Sequence, residues 1–305
     1  MDKPSPDASV TFPPSTLAAL REIAAQMHRG QLDLSLGKRS RAALSAMLDD
    51  PQEVAMSNIS RLSVTLGVSP ATLTRLAKLL GFRGFPQLQG VFRAQTKQAD
   101  HFYSSQAGAL VGPGSARGML LLETLASQAS GNMRQGIAQT DPAALAQGVE
   151  WLARSTQVHV FGYRQSAALA SMMAYCLSMI RGQVQLMGTQ GQGLSVGISQ
   201  IRRQEVVVLF ASAPYSRETV LAAKLARKQL ARVVAVTDSH HSPLAGYADV
   251  TLIQPSDSAF YSSSLIGTVF MIEGVLSLVA KTLGQTAVDN LRLRETLIGE
   301  LNDQV

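Results

Sequence analysis

A single cysteine, Cys176, stands among 305 residues. That excludes a disulfide framework and any Cys-based metal site, and it fits a reducing, cytoplasmic compartment. The histidines offer a metal no better home. His240-His241 precede Ser-Pro with no ligand partners at metal spacing, and His28, His101 and His159 are isolated, so neither a metal nor another cofactor is expected. No G-x-S-x-G elbow supports a nucleophilic serine. The opening stretch, MDKPSPDASVTFPPS, has no apolar signal core, and residues 1–14 read as a disordered arm. The longest apolar run, LIGTVFMIEGVLSLVA from Leu265 to Ala280, falls short of the ~20 residues of a membrane span and carries Glu273 inside it. It reads as a buried helix or a self-association face, in a soluble chain.

Hydrophobic residues make up 46% of the chain and charged residues 16%, the balance of a folded protein long enough for two cores. The net charge of +6 is unevenly spread: between Leu36 and Lys97 nine lysines and arginines face three acids. A basic segment of this kind favours a polyanionic partner. Within it, NISRLSVTLGVSPATLTRLAKLL (58–80) reads as two short helices joined by a tight turn. Ile59, Leu62 and Leu66 recur at helical spacing, and Gly67 supplies the backbone freedom of the turn. Val68 plugs the space between the helices. Ser69 sits at the N-cap of the second helix with Pro70 behind it, where a missing N–H costs nothing. Leu73, Leu76, Leu79 and Leu80 form its apolar back, leaving Thr72, Thr74, Arg75 and Lys78 for the other sides. This is a helix-turn-helix suited to a DNA major groove, with Ser69, Thr72, Thr74, Arg75 and Lys78 nearest the DNA and Arg61 and Arg83 on its backbone.

Around that motif, helices are expected at Ser15 to His28 and Gly37 to Leu48, the latter ended by Asp49-Asp50-Pro51, with a short turn from Pro51 to Met56. Gly81 closes the recognition helix, Phe82 and Phe85 fold back onto the helical core, and a last helix runs from Pro86 to Gln98. Residues 15–98 therefore form the DNA-binding domain. The Gly/Ser/Ala-rich stretch 99–118 has no period and reads as a linker. Helices resume at Met119 to Gln139 and Pro142 to Ala153. From Thr156 strands alternate with helices: strands at 157–162, 184–188, 204–212, 231–239 and 248–254, and a final long helix from Ser258 to Leu283. That alternation predicts an α/β domain over 119–285, a five-stranded parallel sheet with helices on both faces, and a short terminal helix or tail over 286–305.

In such a sheet ligands sit at the carboxyl ends of the strands. Two junctions there are rich in hydroxyls: Gly162 to Ser166, with Arg164, and Ala211 to Thr219, with Ser212, Ser216 and Arg217. Ser166, Ser212, Ser216 and Thr219 with Arg164 and Arg217 suit an anion. The same serines and threonine also serve as ordinary helix caps, and the residues leave both readings open.

The run GVSPATLTRLAKLLGFRGFPQLQ, the strand-end Gly162…Ser166, the YSRET stretch and TDSHHSPLAGYADVTL together resemble the RpiR/HexR-type regulators, in which an N-terminal helix-turn-helix domain precedes a sugar-isomerase (SIS) domain. The likeness covers Ser15 to Gly284. It implies a repressor or activator whose SIS domain dimerises and binds a sugar-phosphate-like effector, and the sequence leaves dimer or tetramer open for the homo-oligomer. Against the usual Ser-x-Ser-Gly-x-Thr of SIS phosphate sites, this chain has Pro214 for the first Ser and Arg217 for the Gly, and Arg164 stands where a second Gly follows the first strand. An anionic effector held differently is expected, either a sugar phosphate or a related carboxylate. Two other readings are a sugar-phosphate isomerase, with Glu218 or Glu273 as its base, and an architectural DNA binder with an inert SIS domain.

Overall fold

A computed structural model describes residues 12–302 apart from 29–31, 33, 35, 190 and 192; most of the expected arm lies outside the described residues. The chain divides into two compact units between Phe102 and Tyr103.

The first unit is helical: α1 (Leu17–His28), α2 (Lys38–Asp49), α3 (Pro51–Met56), α4 (Ile59–Thr65), α5 (Pro70–Leu79) and α6 (Phe85–Asp100). One cluster joins them, with Leu20, Ile23, Met47, Leu62, Leu73, Leu76, Phe82, Phe85 and Phe92 buried. Each large apolar side chain so buried contributes roughly 1.5–3 kcal/mol. The expected turn at 51–56 is a helix instead. Asp50 is its N-cap, accepting from the Glu53 N–H, with Pro51 in the first turn. The same Asp-Pro pair that stops α2 also starts α3, because Pro forbids helix before itself and is preorganised for helix after it. Buried Gln89 of α6 then ties down the end of α3, its Nε2 donating to Val54 O (2.8 Å) and Ser57 O (2.6 Å).

The second unit begins with α7 (Phe102–Val111), all but its first residue, then α8 (Met119–Gln139) and α9 (Pro142–Arg154), which Asp141 caps. A helix therefore occupies part of the segment expected to lack one. Next come β1 (Val158–Gly162), α10 (Ser166–Ile180), β2 (Val184–Leu186), α11 (Leu194–Gln200), β3 (Val206–Ala211), α12 (Arg217–Lys228), β4 (Arg232–Thr237), β5 (Val250–Ile253), α13 (Ile266–Leu283) and α14 (Gln285–Asn302). All strand pairs are parallel, in the order β2-β1-β3-β4-β5. Alternate residues of each strand serve opposite faces. Val206, Val208 and Phe210 pack beneath α9, α10 and α13. Val207, Leu209 and Ala211 pack beneath α11 and α12. Buried on both faces, the central strands read as continuous apolar runs.

Two further corrections concern the end of the chain. The final long helix starts at Ile266 rather than Ser258, and 254–265 is irregular. Serine hydroxyls in that stretch bond the local backbone, Ser258 Oγ accepting from Phe260 N (3.1 Å) and Ser264 Oγ from Ile266 N (3.4 Å), which competes with helix. The terminal helix is long, not short: α14 buries Ala287 and donates from Asn290 Nδ2 to Ile180 O (2.9 Å). Among the described residues one helix, α13, is long and apolar enough to cross a membrane. It lies on the sheet with Met271, Ile272, Val275 and Val279 buried.

Candidate functional site

Strand order reverses between β1 and β3, which are neighbours although β2 intervenes in sequence. At such a switch point the loops leaving the two strands diverge to opposite faces and open a crevice. A cleft open to solvent lies there, lined by residues 163–166, 210–214, Ser216, Thr219, Ser263 and Tyr103. Gly162 makes the approach tight: a Cβ on it would fall 2.2 Å from the Ser166 carbonyl oxygen. Only a residue without a side chain lets α10 start so close to β1.

Of the six residues expected at an effector site, Arg164, Ser166, Ser212, Ser216 and Thr219 line this cavity. Arg217 does not; it is the exposed first residue of α12, turned out of the lining. Ser216 caps that helix, accepting from the Thr219 N–H (3.3 Å), and its hydroxyl also meets the fully buried Thr219 hydroxyl at 2.7 Å. Capping and cavity lining thus coincide in one side chain. Ser166 is buried in the first turn of α10 and is not a side-chain cap; the N-cap there is Gln165, without a capping bond. Arg164 adopts φ +52°, the left-handed backbone that costs a non-glycine residue about 1–2 kcal/mol. The arginine therefore holds a backbone shape that glycine adopts without strain, and this exposed residue stands at the cavity.

Several lining and supporting residues were not legible from the motif. Gln165 bridges to the serine loop, donating to Ser263 O (2.9 Å) and accepting from Ser262 Oγ (2.7 Å). Ser263 Oγ donates to Ala213 O (2.9 Å). The turn carrying Pro214 is held by Asp238 at the end of β4, which accepts from Ala213 N (2.9 Å) and Tyr215 Oη (2.8 Å). Gln254, Asn132 and Gln128 anchor the far side of the serine loop to α8, through Gln254 Nε2 to Asn132 O, Asn132 Nδ2 to Asp257 O and Ala259 N to Gln128 Oε1. These partners lie up to 131 residues apart, so no local signal announces them.

Among the described residues, the lining includes no carboxylate, imidazole or amine. Glu218 is outside it, and Glu273 is exposed on α13. His159, isolated in sequence, is buried on β1 with its Nε2 2.9 Å from Glu205 Oε2, which also accepts from Arg202 N (2.7 Å). Both sit at the opposite, amino ends of the strands.

In the helical unit, Gly67 takes φ +64° at the turn between α4 and α5. Ser69 caps α5, accepting from Thr72 N (3.2 Å), and its hydroxyl lies 2.9 Å from that of Thr72. Leu73, Leu76 and Ala77 are buried, and Arg75 and Lys78 are exposed on the other side. Thr74 is partly committed, its hydroxyl donating to Pro70 O (3.1 Å). Arg61 is exposed near Glu53 (3.6 Å), a surface pair worth little; exposed Arg83 has its backbone N–H bound by Gln87 Oε1 (2.7 Å). An open cleft beside the turn is lined by Gly67, Ser69, Thr72 and also Arg39 of α2. The motif gave no reason to single out Arg39, which reaches the turn only through the packing of α2 on α5.

Residues 31–98 match the model for the helix-turn-helix domain of the rpiR family, and residues 151–278 that for the SIS domain. The chain belongs to the RpiR family of transcriptional regulators. An uncharacterised HTH-type transcriptional regulator of Haemophilus influenzae is 25% identical over 260 residues, 85% of this chain and 90% of that one. The regulator HexR of Pseudomonas aeruginosa is 25% identical over 274 residues, covering 86% and 92%. Among solved structures, the sugar isomerase domain of an RpiR transcription factor from Sphaerobacter thermophilus matches 58% of this chain and 98% of its own, at 26% identity and TM-score 0.55. The Vibrio vulnificus NanR protein, solved with ManNAc-6P, shares the fold over 92% of this chain and 98% of its own at 17% identity and TM-score 0.55. The regulator thus pairs an rpiR-type helix-turn-helix with a SIS domain whose strand-end cavity is lined by hydroxyls.

Proposed function

We propose that this regulator binds a double-stranded operator through α5 and senses a small anionic metabolite, a sugar phosphate or related carboxylate, in the strand-end cavity. One observation carries the ligand reading: the cavity at the switch point combines the Ser166, Ser212, Ser216 and Thr219 positions with the Arg164 guanidinium. Hydroxyls and helix-start N–H groups hold an anion, and arginine adds charge. A lining without carboxylate, imidazole or amine favours binding over turnover, because aldose–ketose isomerisation needs a base beside the substrate carbons. The related NanR protein carries ManNAc-6P, a sugar phosphate, which agrees with the class suggested here.

On the DNA side, Arg75 and Lys78 reach base edges or phosphates in the major groove, Ser69, Thr72 and Thr74 contact the DNA at the start of the helix, and Arg61 and Arg83 hold the backbone. Arg39, beside the α4–α5 turn, joins them on a phosphate. Self-association as a dimer or tetramer is supported by the exposed stripe Leu293, Leu297 and Leu301 on α14, apolar surface that a second copy would cover. Two such copies present two recognition helices to paired half-sites, and an effector that binds two states unequally shifts operator affinity. A tenfold shift corresponds to about 1.4 kcal/mol of coupling.

The test is titration of DNA from upstream of this and neighbouring genes at two salt concentrations, with and without hexose phosphates and sugar acids. Site-selective, salt-sensitive binding that one metabolite changes is expected. Arg75→Ala should weaken operator binding roughly tenfold to hundredfold while the chain stays folded, and Ser216→Ala should remove the metabolite response. Selective binding with no response to any anion, in a chain that calorimetry also finds unable to bind one, would refute the sensing half.

A further inference from the structure

The cavity has one wall that does not come from the SIS domain. Tyr103 lines it together with Tyr163, and each residue is about two-fifths exposed, 42% and 41%. Tyr163 belongs to the loop after β1, as expected of a strand-end site. Tyr103 belongs to α7, the helix that continues the chain directly out of the helix-turn-helix unit.

α7 is poorly held. It buries none of its ten residues, in contrast to α9, which buries Gly148, Val149, Leu152 and Ala153. Its sequence, FYSSQAGALV, includes two serines and an interior Gly108, residues that weaken a helix. Helices shorter than about 12 residues are marginal in water unless packing supports them. An element with few buried contacts opens at low cost, and a modest new contact is enough to change its population. The hydroxyls and Arg164 take the charged end of an anion; the two tyrosine rings offer apolar faces to whatever body that anion carries. A bare inorganic anion has nothing to place against them, whereas a sugar ring has C–H faces.

We propose that Tyr103 is a ligand-contacting residue for the body of an organic anion, and that α7 is the element that registers occupancy of the cavity. This rests on the anion-site reading above and adds a route: ligand against Tyr103 orders α7, and α7 is the segment through which the chain passes to its DNA-binding unit. By reciprocity, operator binding then changes ligand affinity by the same factor.

The experiment uses the full chain, wild type, Tyr103→Ala and Tyr103→Phe. Inorganic phosphate and the 6-phosphates of glucose, fructose and gluconate are titrated by calorimetry, with hydrogen exchange followed over 102–111, 162–166 and 211–219. Because Tyr103 is exposed, the variants should fold, which an unchanged melting temperature checks. The expected result is that Tyr103→Ala weakens a sugar phosphate about five- to tenfold, the worth of an aromatic contact, and inorganic phosphate less than about twofold. Tyr103→Phe should stay near wild type, and ligand protection of 102–111 should be lost in Tyr103→Ala alone. Wild-type affinity in Tyr103→Ala, or ligand protection of the strand-end loops without protection of 102–111, overturns the proposal. If wild type binds neither phosphate nor sugar phosphate and its strand-end loops gain no protection, the anion-site reading itself fails, and this one with it.

Discussion

Replacing Gly162 by alanine is the sharpest probe of how the cavity is built. Gly162 ends β1 with a φ outside the left-handed region, so its backbone accommodates alanine. The obstacle is steric. The new Cβ would lie 2.2 Å from the Ser166 carbonyl oxygen, 2.7 Å from its carbon and 3.1 Å from its Cβ. Ordinary contact begins near 3.4 Å, so β1 or the first turn of α10 must move by roughly 1 Å, and the atoms in the way are mainly backbone, with no rotamer to change. Overpacking of this kind costs typically 1–3 kcal/mol, and a backbone obstacle puts it at about 2–3. For a unit of this size each kcal/mol lowers the melting temperature by about 2–4 °C, so a fall of about 4–12 °C is expected by calorimetry or circular dichroism. Ser166 moves with α10, so anion affinity should fall as well, by about tenfold or more. Gly182→Ala is the control: a Cβ there meets nothing within 4 Å, and alanine should be neutral or stabilise by up to about 1 kcal/mol. A Gly162→Ala protein melting within about 1 °C of wild type with unchanged ligand affinity would refute the close approach of strand and helix on which the cavity depends.

Three further substitutions test separate parts of the reasoning. Arg39→Gln should weaken binding to specific and random DNA alike and reduce the slope of log affinity against log salt by about 1, as loss of one phosphate contact requires; an unchanged slope removes Arg39 from the DNA interface. Gln165→Ala takes away both bonds to the serine loop, leaving buried Ser262 and the Ser263 carbonyl to find new partners, and should cost about 1–3 kcal/mol in thermal unfolding together with faster exchange over 254–265. Ser216→Ala removes the cap of α12 and strands the Thr219 hydroxyl in the interior; a loss near 1 kcal/mol is expected, whereas an unchanged melting temperature would mean the cap contributes nothing measurable.

Helices, strands and the recognition motif were legible because their causes are local. The apolar spacing of Leu73, Leu76 and Leu80, the Ser69-Pro70 start and the Gly67 turn act within a few residues of one another, and the structure has all of them. So were the five strands, whose Val-rich runs reflect burial on both faces. Misreadings arose where one residue had two local roles, as with Pro51, which ends α2 and begins α3, or where side chains outcompeted the backbone, as in the serine-rich stretch before Ile266. Sequence spacing also grouped Arg217 with Ser216 and Thr219, although the helical turn that buries Thr219 turns Arg217 outward.

From the sequence by itself came the two-part organisation, the basic helix-turn-helix and the hydroxyl-rich strand ends, because periodicity, caps and charge clusters are properties of neighbouring residues. Only the tertiary structure decided which hydroxyls share a cavity. Strand order puts β1 beside β3 and so brings residues 163–166 against 211–219. Gln165, Ser263 and Asp238 then fasten three distant loops into one wall. Arg39 gains its place in the same way, through the packing of α2 on α5, where the free energy depends on distance in space and sequence separation leaves no trace.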